Sequence, residues 1–297
     1  MRNVYCVNSQ GTPPIIILGM HRSGTSMLAR TLRELGVYMG RNRTRNEECR
    51  WTNSINYWLF AQASATWEMP EGFDTLLTDS DLCDILTDYM RGIASGPASV
   101  RYMGLWRWMR YRSMSRIEEP WGWKDPRNTF TLPLWHRVFP KARIIHILRH
   151  GVDVAQSLRT RRKGAAEAAA RRYRSRRTFY VNAPWAPKRR GFAHAPRVAD
   201  LEGGFSLWEA YTSRGCGLVQ ELGSQALEIR YEDLLRDPLP FLDRICKFIG
   251  IEPSQDQLRR ASESFDPSKA FSYTQSTELS DFAGRFASHL EKLGYRA

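Results

Sequence analysis

A short hydrophobic run followed at once by a glycine-rich turn is the feature that most constrains the fold of this chain. Ile15–Leu18 is a β-branched run of the kind found in strands that are buried on both faces. Gly19–Gly24 is the turn, and the leucines of Thr25–Leu35 recur at helical spacing, with Gly36 at the position of a C-terminal cap. The pattern predicts a strand, a loop and a helix in succession.

Three further runs predict strands. Ala142–Leu148 is a second buried run, which leads through Arg149 into a helix that begins near Val152. Ala226–Arg230 predicts a third strand, and Trp121–Lys124 predicts a short fourth one. Because these strands alternate with helical stretches, we expect an α/β fold with a mainly parallel sheet flanked by helices, of the phosphate-loop (P-loop) type.

Two long segments lie between these runs. Residues 53–118 contain helical patches rich in Trp, Tyr and Met, which predicts a helical insertion. A basic insertion is expected over about 159–200, where residues 165–170 favour helix and the prolines at positions 184, 187 and 196 predict an irregular, mobile loop over 178–200. No stretch has the composition of a linker, so residues 1–297 are expected to form one domain.

The net charge of +13 is concentrated in one segment. Residues 159–190 contain twelve Lys and Arg and a single acid, which leaves 32 basic and 30 acidic residues in the remainder of the chain. The segment has few aromatic residues for base stacking, so nucleic acid is not the expected partner. It predicts either a local anionic partner, such as an acceptor with acidic groups, or a solvated insertion.

The composition favours a reducing compartment. The cysteines are odd in number and scattered, without the spacing of a zinc site or a disulfide framework; they are Cys6, Cys49, Cys83, Cys216 and Cys246. The first aliphatic run is far shorter than the roughly 20 apolar residues that a bilayer span needs. We expect a cytoplasmic protein without a secretory signal or transmembrane segment, whose oligomeric state the sequence does not indicate.

The loop Gly19–Ser26 has the context of an anion-binding site. It follows a strand and opens a helix, where backbone N–H groups and the helix dipole favour an anionic group. In a nucleotide triphosphatase a lysine would stand where this chain has Thr25, and a magnesium-binding acid would be expected where it has Arg149. The loop therefore predicts phosphate binding without a metal. The alternative is a Gly-Ser-Thr turn that only caps a helix.

A second anion site is predicted where the next long strand ends. Arg149 follows that strand and Ser157 comes about two helical turns later, near the carboxyl edge of the sheet, where ligands bind in open α/β folds. Two separate anion sites fit one ligand that has two separated phosphate-type groups.

Four motifs together resemble the ordered landmarks of sulfotransferases that use 3′-phosphoadenosine 5′-phosphosulfate (PAPS), in particular the bacterial group that is similar to tyrosylprotein sulfotransferases. They span about residues 13–250 and are Gly19–Ser26, Trp123–Arg127, Arg149–Ser157 and Tyr231–Pro238. The combination is far more specific than any one motif.

The resemblance implies a set of donor-binding residues. Those for the 5′-phosphosulfate would be Arg22, Ser23, Gly24, Thr25 and Ser26. Arg149 and Ser157 would bind the 3′-phosphate, and Tyr231 would lie near the nucleoside. PAPS is thus the expected co-substrate, no metal is expected, and a bacterial cytoplasmic location is implied.

Sulfuryl transfer needs cations for the growing negative charge and a base for the acceptor proton. Arg22 and Lys124 are the candidate cations, because both follow strands at the sheet edge; the alternative for Lys124 is a surface ion pair with Asp125. The histidine that serves as base in cytosolic members of the wider family has no counterpart between residues 22 and 135. The tyrosylprotein group uses a glutamate instead, which implies Glu47 or Glu48, with Glu48 slightly favoured; a solvated acidic pair facing nearby arginines is the alternative.

The leading hypothesis is a PAPS-dependent sulfotransferase that acts on a hydroxyl of a carbohydrate, lipid or other small-molecule acceptor. A nucleotide kinase of the same architecture is one alternative, disfavoured by the missing loop lysine. A nucleic-acid-binding protein built around the basic segment is the other, disfavoured by the nearly neutral remainder of the chain.

Overall fold

A parallel sheet lies at the centre of the larger part of the molecule. In the computed structural model, which describes residues 11–183 and 195–297, the strands are β1 (Ile15–Leu18), β2 (Gly122–Lys124), β3 (Arg143–Leu148) and β4 (Ala226–Arg230). Each strand matches its predicted run to within one residue. The order is β2-β1-β3-β4, and every neighbouring pair is parallel. The α/β prediction is confirmed.

Helices make up most of the remaining structure. The α-helices of the described residues are α1 (Thr25–Glu34), α2 (Arg50–Gln62), α3 (Gly72–Thr78), α4 (Ser80–Ser95), α5 (Val100–Met103), α6 (Leu105–Tyr111), α7 (Asn128–Val138), α8 (Gly151–Ser175), α9 (Arg177–Asn182), α10 (Leu201–Leu222), α11 (Tyr231–Arg236), α12 (Pro238–Ile249), α13 (Gln255–Ser262), α14 (Thr277–Arg285) and α15 (Ala287–Lys292). Short 3₁₀ helices cover Pro97–Ser99, Met114–Arg116, Pro196–Val198, Gly223–Gln225, Pro267–Lys269 and Ser272–Gln275. Within the described part of the chain, none of the helices is both long and apolar enough to cross a membrane.

The strand order creates a place for a ligand. In the sheet, β2 lies on one side of β1, and β3, the next strand in the chain, lies on its other side. The strand order therefore reverses direction at β1. In open α/β sheets, ligands bind outside the carboxyl ends of the strands at such a switch point. The loop that follows β1 and the residue that follows β3 both lie at this edge.

A hydrophobic core lies on one face of the sheet. Alternate residues of β1, β3 and β4 point into it, and α1 and α11–α13 cover them with leucine and isoleucine side chains. Aromatic side chains pack nearby, where Trp121, Trp123, Trp135 and Phe139 form successive ring contacts. Three of the tryptophans in the first half of the chain therefore belong to this packing, whereas Trp58 and Trp106 are exposed.

The described chain divides into two compact units. The first extends to Arg149 and includes Tyr211–Ala270, and the second consists of His150–Ala210 and Phe271–Ala297. In the second unit, the Asp153 carboxylate on α8 accepts hydrogen bonds from the backbone N–H groups of Ser272 and Tyr273. The expectation of one domain over 1–297 stays a prediction.

The two predicted insertions differ in outcome. Residues 53–118 consist mainly of helices, from α2 to α6, as predicted. The basic insertion is more helical than expected, because α8 continues to Ser175 and α9 covers Arg177–Asn182. The prediction of an irregular loop was therefore wrong for residues 178–182, since the prolines that break the helical pattern come later. Residues 184–194 lie outside the described residues.

Candidate active site

The loop after β1 has a backbone that requires glycine at two positions. Gly19 has φ of 136° and Gly24 has φ of 96°, both in the region that side chains disfavour. A Cβ atom on Gly19 would lie 2.5 Å from the carbonyl oxygen of Ile147, and one on Gly24 would lie 2.4 Å from the Tyr231 ring. The loop therefore packs tightly against β3 and the residue after β4.

Arg22 lies within this loop in an uncommon conformation. Its φ is 73°, which is sparsely populated for a residue with a side chain, and its side chain is exposed. Such backbone strain clusters at ligand-binding sites, where the surrounding structure maintains it. Here Ser23 is buried, and its Oγ donates a 2.6 Å hydrogen bond to the carbonyl oxygen of Met20.

The first turn of α1 has the properties of an anion site. Gly24 is the N-cap residue and supplies no side-chain cap, and the first turn contains no acidic residue. The early N–H groups of a helix lack intrahelical partners and carry the positive end of the helix dipole. Thr25 and Ser26 open the helix, so an anion in the loop would meet these N–H groups.

Lys124 ends β2 and reaches the same turn. The residue is 2% exposed, and its Nζ donates hydrogen bonds to Glu48 Oε1 at 3.0 Å, the Asn46 carbonyl oxygen at 3.0 Å and Ser26 Oγ at 3.2 Å. The alternative of a surface ion pair with Asp125 is wrong, since Lys124 is buried and its ion-pair partner is Glu48. Burial lowers the pKa of Lys124, and the neighbouring Glu48 carboxylate opposes this shift.

Glu48 and Glu47 have different surroundings, although they are adjacent in sequence. Glu48 is 9% exposed, and its Oε2 also accepts a 3.4 Å hydrogen bond from Thr44 Oγ1. The Glu47 carboxylate lies within ion-pair distance of three arginines, at 3.6 Å from Arg30, 3.6 Å from Arg33 and 3.3 Å from Arg43. The alternative prediction, an acid that faces nearby arginines, therefore describes Glu47. Glu48 instead pairs with Lys124, which also contacts Ser26 in the first turn of α1.

Arg149 and Tyr231 border the loop from the neighbouring strands. A guanidinium nitrogen of Arg149 donates a 3.2 Å hydrogen bond to the carbonyl oxygen of Arg22, and another donates to that of Lys269. The guanidinium carbon lies 4.7 Å from the centre of the Tyr231 ring. Loop, arginine and tyrosine are therefore one packed cluster in the first unit.

Comparison with known proteins identifies the family. The sequence model of the sulfotransferase family matches residues 13–256, which is most of the chain. The chain belongs to the sulfotransferase family. A sequence comparison with curated proteins finds no match.

Solved structures with a similar fold include three sulfotransferases. The sulfotransferase domain from the curacin biosynthetic pathway is 14% identical, with 93% of this chain and 97% of that chain covered and a TM-score of 0.48. A sulfotransferase from Alicyclobacillus acidocaldarius is 18% identical, with 97% of this chain and 97% of that chain covered and a TM-score of 0.46. A sulfotransferase from Mycobacterium avium is 14% identical, with 96% of this chain and 78% of that chain covered and a TM-score of 0.46.

A buried polar cluster in this sulfotransferase is formed by the residues that directly follow Lys124. Asp125 accepts hydrogen bonds from the backbone N–H of Arg127 at 2.9 Å, from its guanidinium at 3.2 Å and from Asn53 Nδ2 at 3.2 Å. The guanidinium of Arg127 also stacks 3.7 Å from the centre of the Tyr57 ring. Burial raises the pKa of Asp125, which Arg127 counteracts. These contacts fix the turn that follows Lys124.

Two asparagines connect this turn to the sheet. Asn128 Nδ2 donates a 3.0 Å hydrogen bond to the carbonyl oxygen of Ile17, and its Oδ1 accepts one of 2.9 Å from Asn56. No role was predicted for these asparagines or for Asn53. The same is true of Thr44, which donates a hydrogen bond to Glu48, and of Asn46, whose carbonyl oxygen accepts one from Lys124. Only the position of Asn128 just after the Trp123–Arg127 motif was a signal that could have found one of them.

Ser157 lies on α8 in the second unit, in the part of the helix that carries Asp153. Its assignment to the 3′-phosphate stays a prediction from the sequence.

Proposed function

We propose that this sulfotransferase transfers the sulfuryl group of PAPS to a hydroxyl of a carbohydrate, lipid or other small-molecule acceptor. The observation that carries the proposal is the meeting of the Lys124 ammonium, the Glu48 carboxylate and the Ser26 hydroxyl at the first turn of α1. A cation, a carboxylate and a helix N-terminus are the three elements that proton removal and charge stabilisation require.

The donor would bind along the carboxyl edge of the sheet. The N–H groups of Ser23–Ser26 and the side chain of Arg22 suit its 5′-phosphosulfate. Arg149 suits its 3′-phosphate, to which the sequence motif also assigns Ser157, and Tyr231 offers a ring beside the loop for the nucleoside. Binding by backbone donors and arginines matches a dianionic group without requiring a metal.

Lys124 and Glu48 would carry out the chemistry. The donor, when bound, supplies a sulfuryl group joined to a phosphate oxygen. Glu48 accepts the proton of the acceptor hydroxyl, while Lys124 and Arg22 stabilise the negative charge that grows on the departing phosphate. The favoured base is Glu48 rather than Glu47, because the Glu47 carboxylate already faces three arginines.

A cavity in the first unit is the candidate acceptor site. It has a volume of about 580 Å³, and its lining includes Tyr38, Arg41, Arg43, Leu105, Trp106 and Arg107. Arg43 links it to Glu47, the neighbour of the proposed base. Trp106 is 81% exposed, and aromatic faces with nearby cations suit a sugar or an aromatic acceptor with acidic groups. These properties support a small-molecule or glycan acceptor.

The experiment that tests the proposal is a transfer assay with a panel of hydroxyl acceptors. The protein is incubated with PAPS in the presence of a chelator, and products are examined by mass spectrometry for an added sulfuryl group. We expect sulfated product from PAPS and no phosphorylated product from ATP with magnesium. Phosphorylated product with ATP, and none with PAPS, would favour the nucleotide kinase instead.

A further inference from the structure

A cluster of three metal-ligating side chains lies on residues that the proposed sulfuryl transfer does not use. His146 is on β3, Glu228 is on β4 and Cys216 is on α10, all within the first unit. One ligand atom of each residue, the imidazole nitrogen, the carboxylate oxygen and the sulfur, lies within 4.8 Å of the other two. Over residues 11–183 and 195–297, this is the one group of its kind.

Strand pairing brings His146 and Glu228 together. They are partners in the parallel register of β3 and β4, so their side chains leave the same face of the sheet. Their neighbours Ile145, Ile147 and Ile229 point into the hydrophobic core on the opposite face. His146 is 1% exposed, and its Nδ1 lies 3.1 Å from Glu228 Oε2.

A glycine lets α10 approach closely enough to add the cysteine. A Cβ atom on Gly215 would lie 2.3 Å from His146 Nε2, so a larger residue at this position would displace the ring or the helix. Cys216 is the next residue, and its Sγ lies 3.5 Å from the same Glu228 Oε2. The side chain of Glu228 is 34% exposed, which leaves access for water and ions.

We propose that His146, Cys216 and Glu228 bind a zinc ion, with a water molecule as the fourth ligand. Glu228 Oε2 lies 3.1 Å from His146 Nδ1 and 3.5 Å from Cys216 Sγ. These two separations suit a tetrahedral zinc ion whose bonds to its ligand atoms are about 2.0–2.3 Å long. An imidazole, a thiolate and a carboxylate suit zinc, whereas calcium and magnesium prefer oxygen ligands alone. Thiolate and carboxylate together balance the double positive charge.

Binding requires one proton to leave. The Cys216 thiol loses its proton to solvent as the sulfur–zinc bond forms, and no electrons are exchanged. Because the ion replaces this proton, its affinity rises with pH. Beyond these three ligands, Arg230 is the charged group that acts on the cluster, and its positive charge opposes the cation.

The competing account of the cluster is a hydrogen-bonded triad without an ion. In that account Glu228 accepts from the Nδ1–H of His146 and from the thiol of Cys216, and the three side chains only satisfy one another. The two accounts differ in whether the thiolate ligates an added metal.

Cobalt(II) is the spectroscopic probe that separates them. The full-length protein is treated with a chelator, exchanged into metal-free buffer and titrated with CoCl₂. We expect a thiolate-to-cobalt charge-transfer band that saturates at one equivalent and disappears when ZnCl₂ is added. Cys216→Ser should lose the band, and Cys246→Ala, at a buried cysteine on α12, should retain it.

A second variant keeps the test decisive if Cys216→Ser does not fold. Glu228→Gln retains hydrogen-bonding capacity but removes a charged ligand, and we expect it to weaken zinc binding at least about tenfold in a competition titration. Zinc should also raise the melting temperature of the wild type more than that of this variant. Absence of the band in the wild type, its survival in Cys216→Ser, or unchanged zinc affinity in Glu228→Gln would overturn the proposal.

Discussion

The ammonium group of Lys124 lies 3.0 Å from the carboxylate of Glu48, across 76 residues of sequence. Their contact joins the end of β2 to the segment between α1 and α2 at the first turn of α1. A buried ion pair is weak evidence for stability, because the two charges give up their hydration. Its position beside the loop after β1 places it at the centre of the proposed chemistry.

Arg149 should contribute directly to donor affinity. Arg149→Ala removes a charge-assisted contact worth about 1.5–3 kcal/mol, which corresponds to roughly a ten- to hundredfold weaker binding of 3′-phosphoadenosine 5′-phosphate. Calorimetry in the presence of a chelator measures this affinity. Arg259→Ala, at an exposed position on α13, is the matched control and should bind normally. Normal binding by Arg149→Ala would contradict the assignment.

Glu48 should matter for turnover and little for donor affinity. Glu48→Gln should lower kcat by about 10²–10⁴, because the acceptor proton loses its base, while the affinity for 3′-phosphoadenosine 5′-phosphate stays nearly the same. Glu47→Gln is the control and should remain active, since its carboxylate faces arginines. A full rate in Glu48→Gln, or a loss confined to Glu47→Gln, would move the base elsewhere.

Lys124 predicts an alkaline limit to donor binding. Because burial lowers its pKa below the usual 10.5, the ammonium loses its proton, and its attraction for phosphate, at a pH below that value. The affinity for 3′-phosphoadenosine 5′-phosphate should therefore fall as pH rises toward 10.5. In Lys124→Arg the guanidinium stays protonated, so the fall should move to higher pH. The same pH dependence in both proteins would exclude Lys124 as the group responsible.

The basic segment should attract an acceptor that has acidic groups. Its arginines at the end of α8 and the start of α9 are mostly exposed, and exposed charges are screened over about 10 Å at 0.1 M salt. The test variant changes Arg171, Arg172, Arg174, Arg176 and Arg177 to Gln. Its KM for the acceptor should exceed that of the wild type at low salt and approach it at high salt. Equal KM values at low salt would mean that the segment only solvates the surface.

The sequence predicted the sheet well because β1 and most of β3 are apolar, β-branched runs, and each is followed directly by a glycine or a polar residue. It also predicted that the loop after β1 and the residue after β3 lie at one edge of the sheet, because the carboxyl ends of parallel strands meet there. The partner of Lys124 was not predictable, because the tertiary fold alone brings Glu48 to it. Likewise, Glu228 is 12 residues from Cys216 and 82 from His146, so no local spacing reveals their cluster. A histidine inside the apolar run of β3 was the one visible signal.

The helical content of the basic insertion was underestimated for a different reason. Arginine and alanine favour helix, and the helix needs no apolar face along residues that remain exposed. The prolines that follow, at positions 184, 187 and 196, predicted an irregular loop in spite of this intrinsic preference.

A crystal structure of the protein with 3′-phosphoadenosine 5′-phosphate, grown in the presence of a chelator, tests the central claim most directly. We predict that the 5′-phosphate contacts the N–H groups of Ser23–Ser26 beside Lys124, and that the 3′-phosphate contacts Arg149. Electron density for the nucleotide at another site, or none at saturating concentration with the loop open to solvent, would contradict the account.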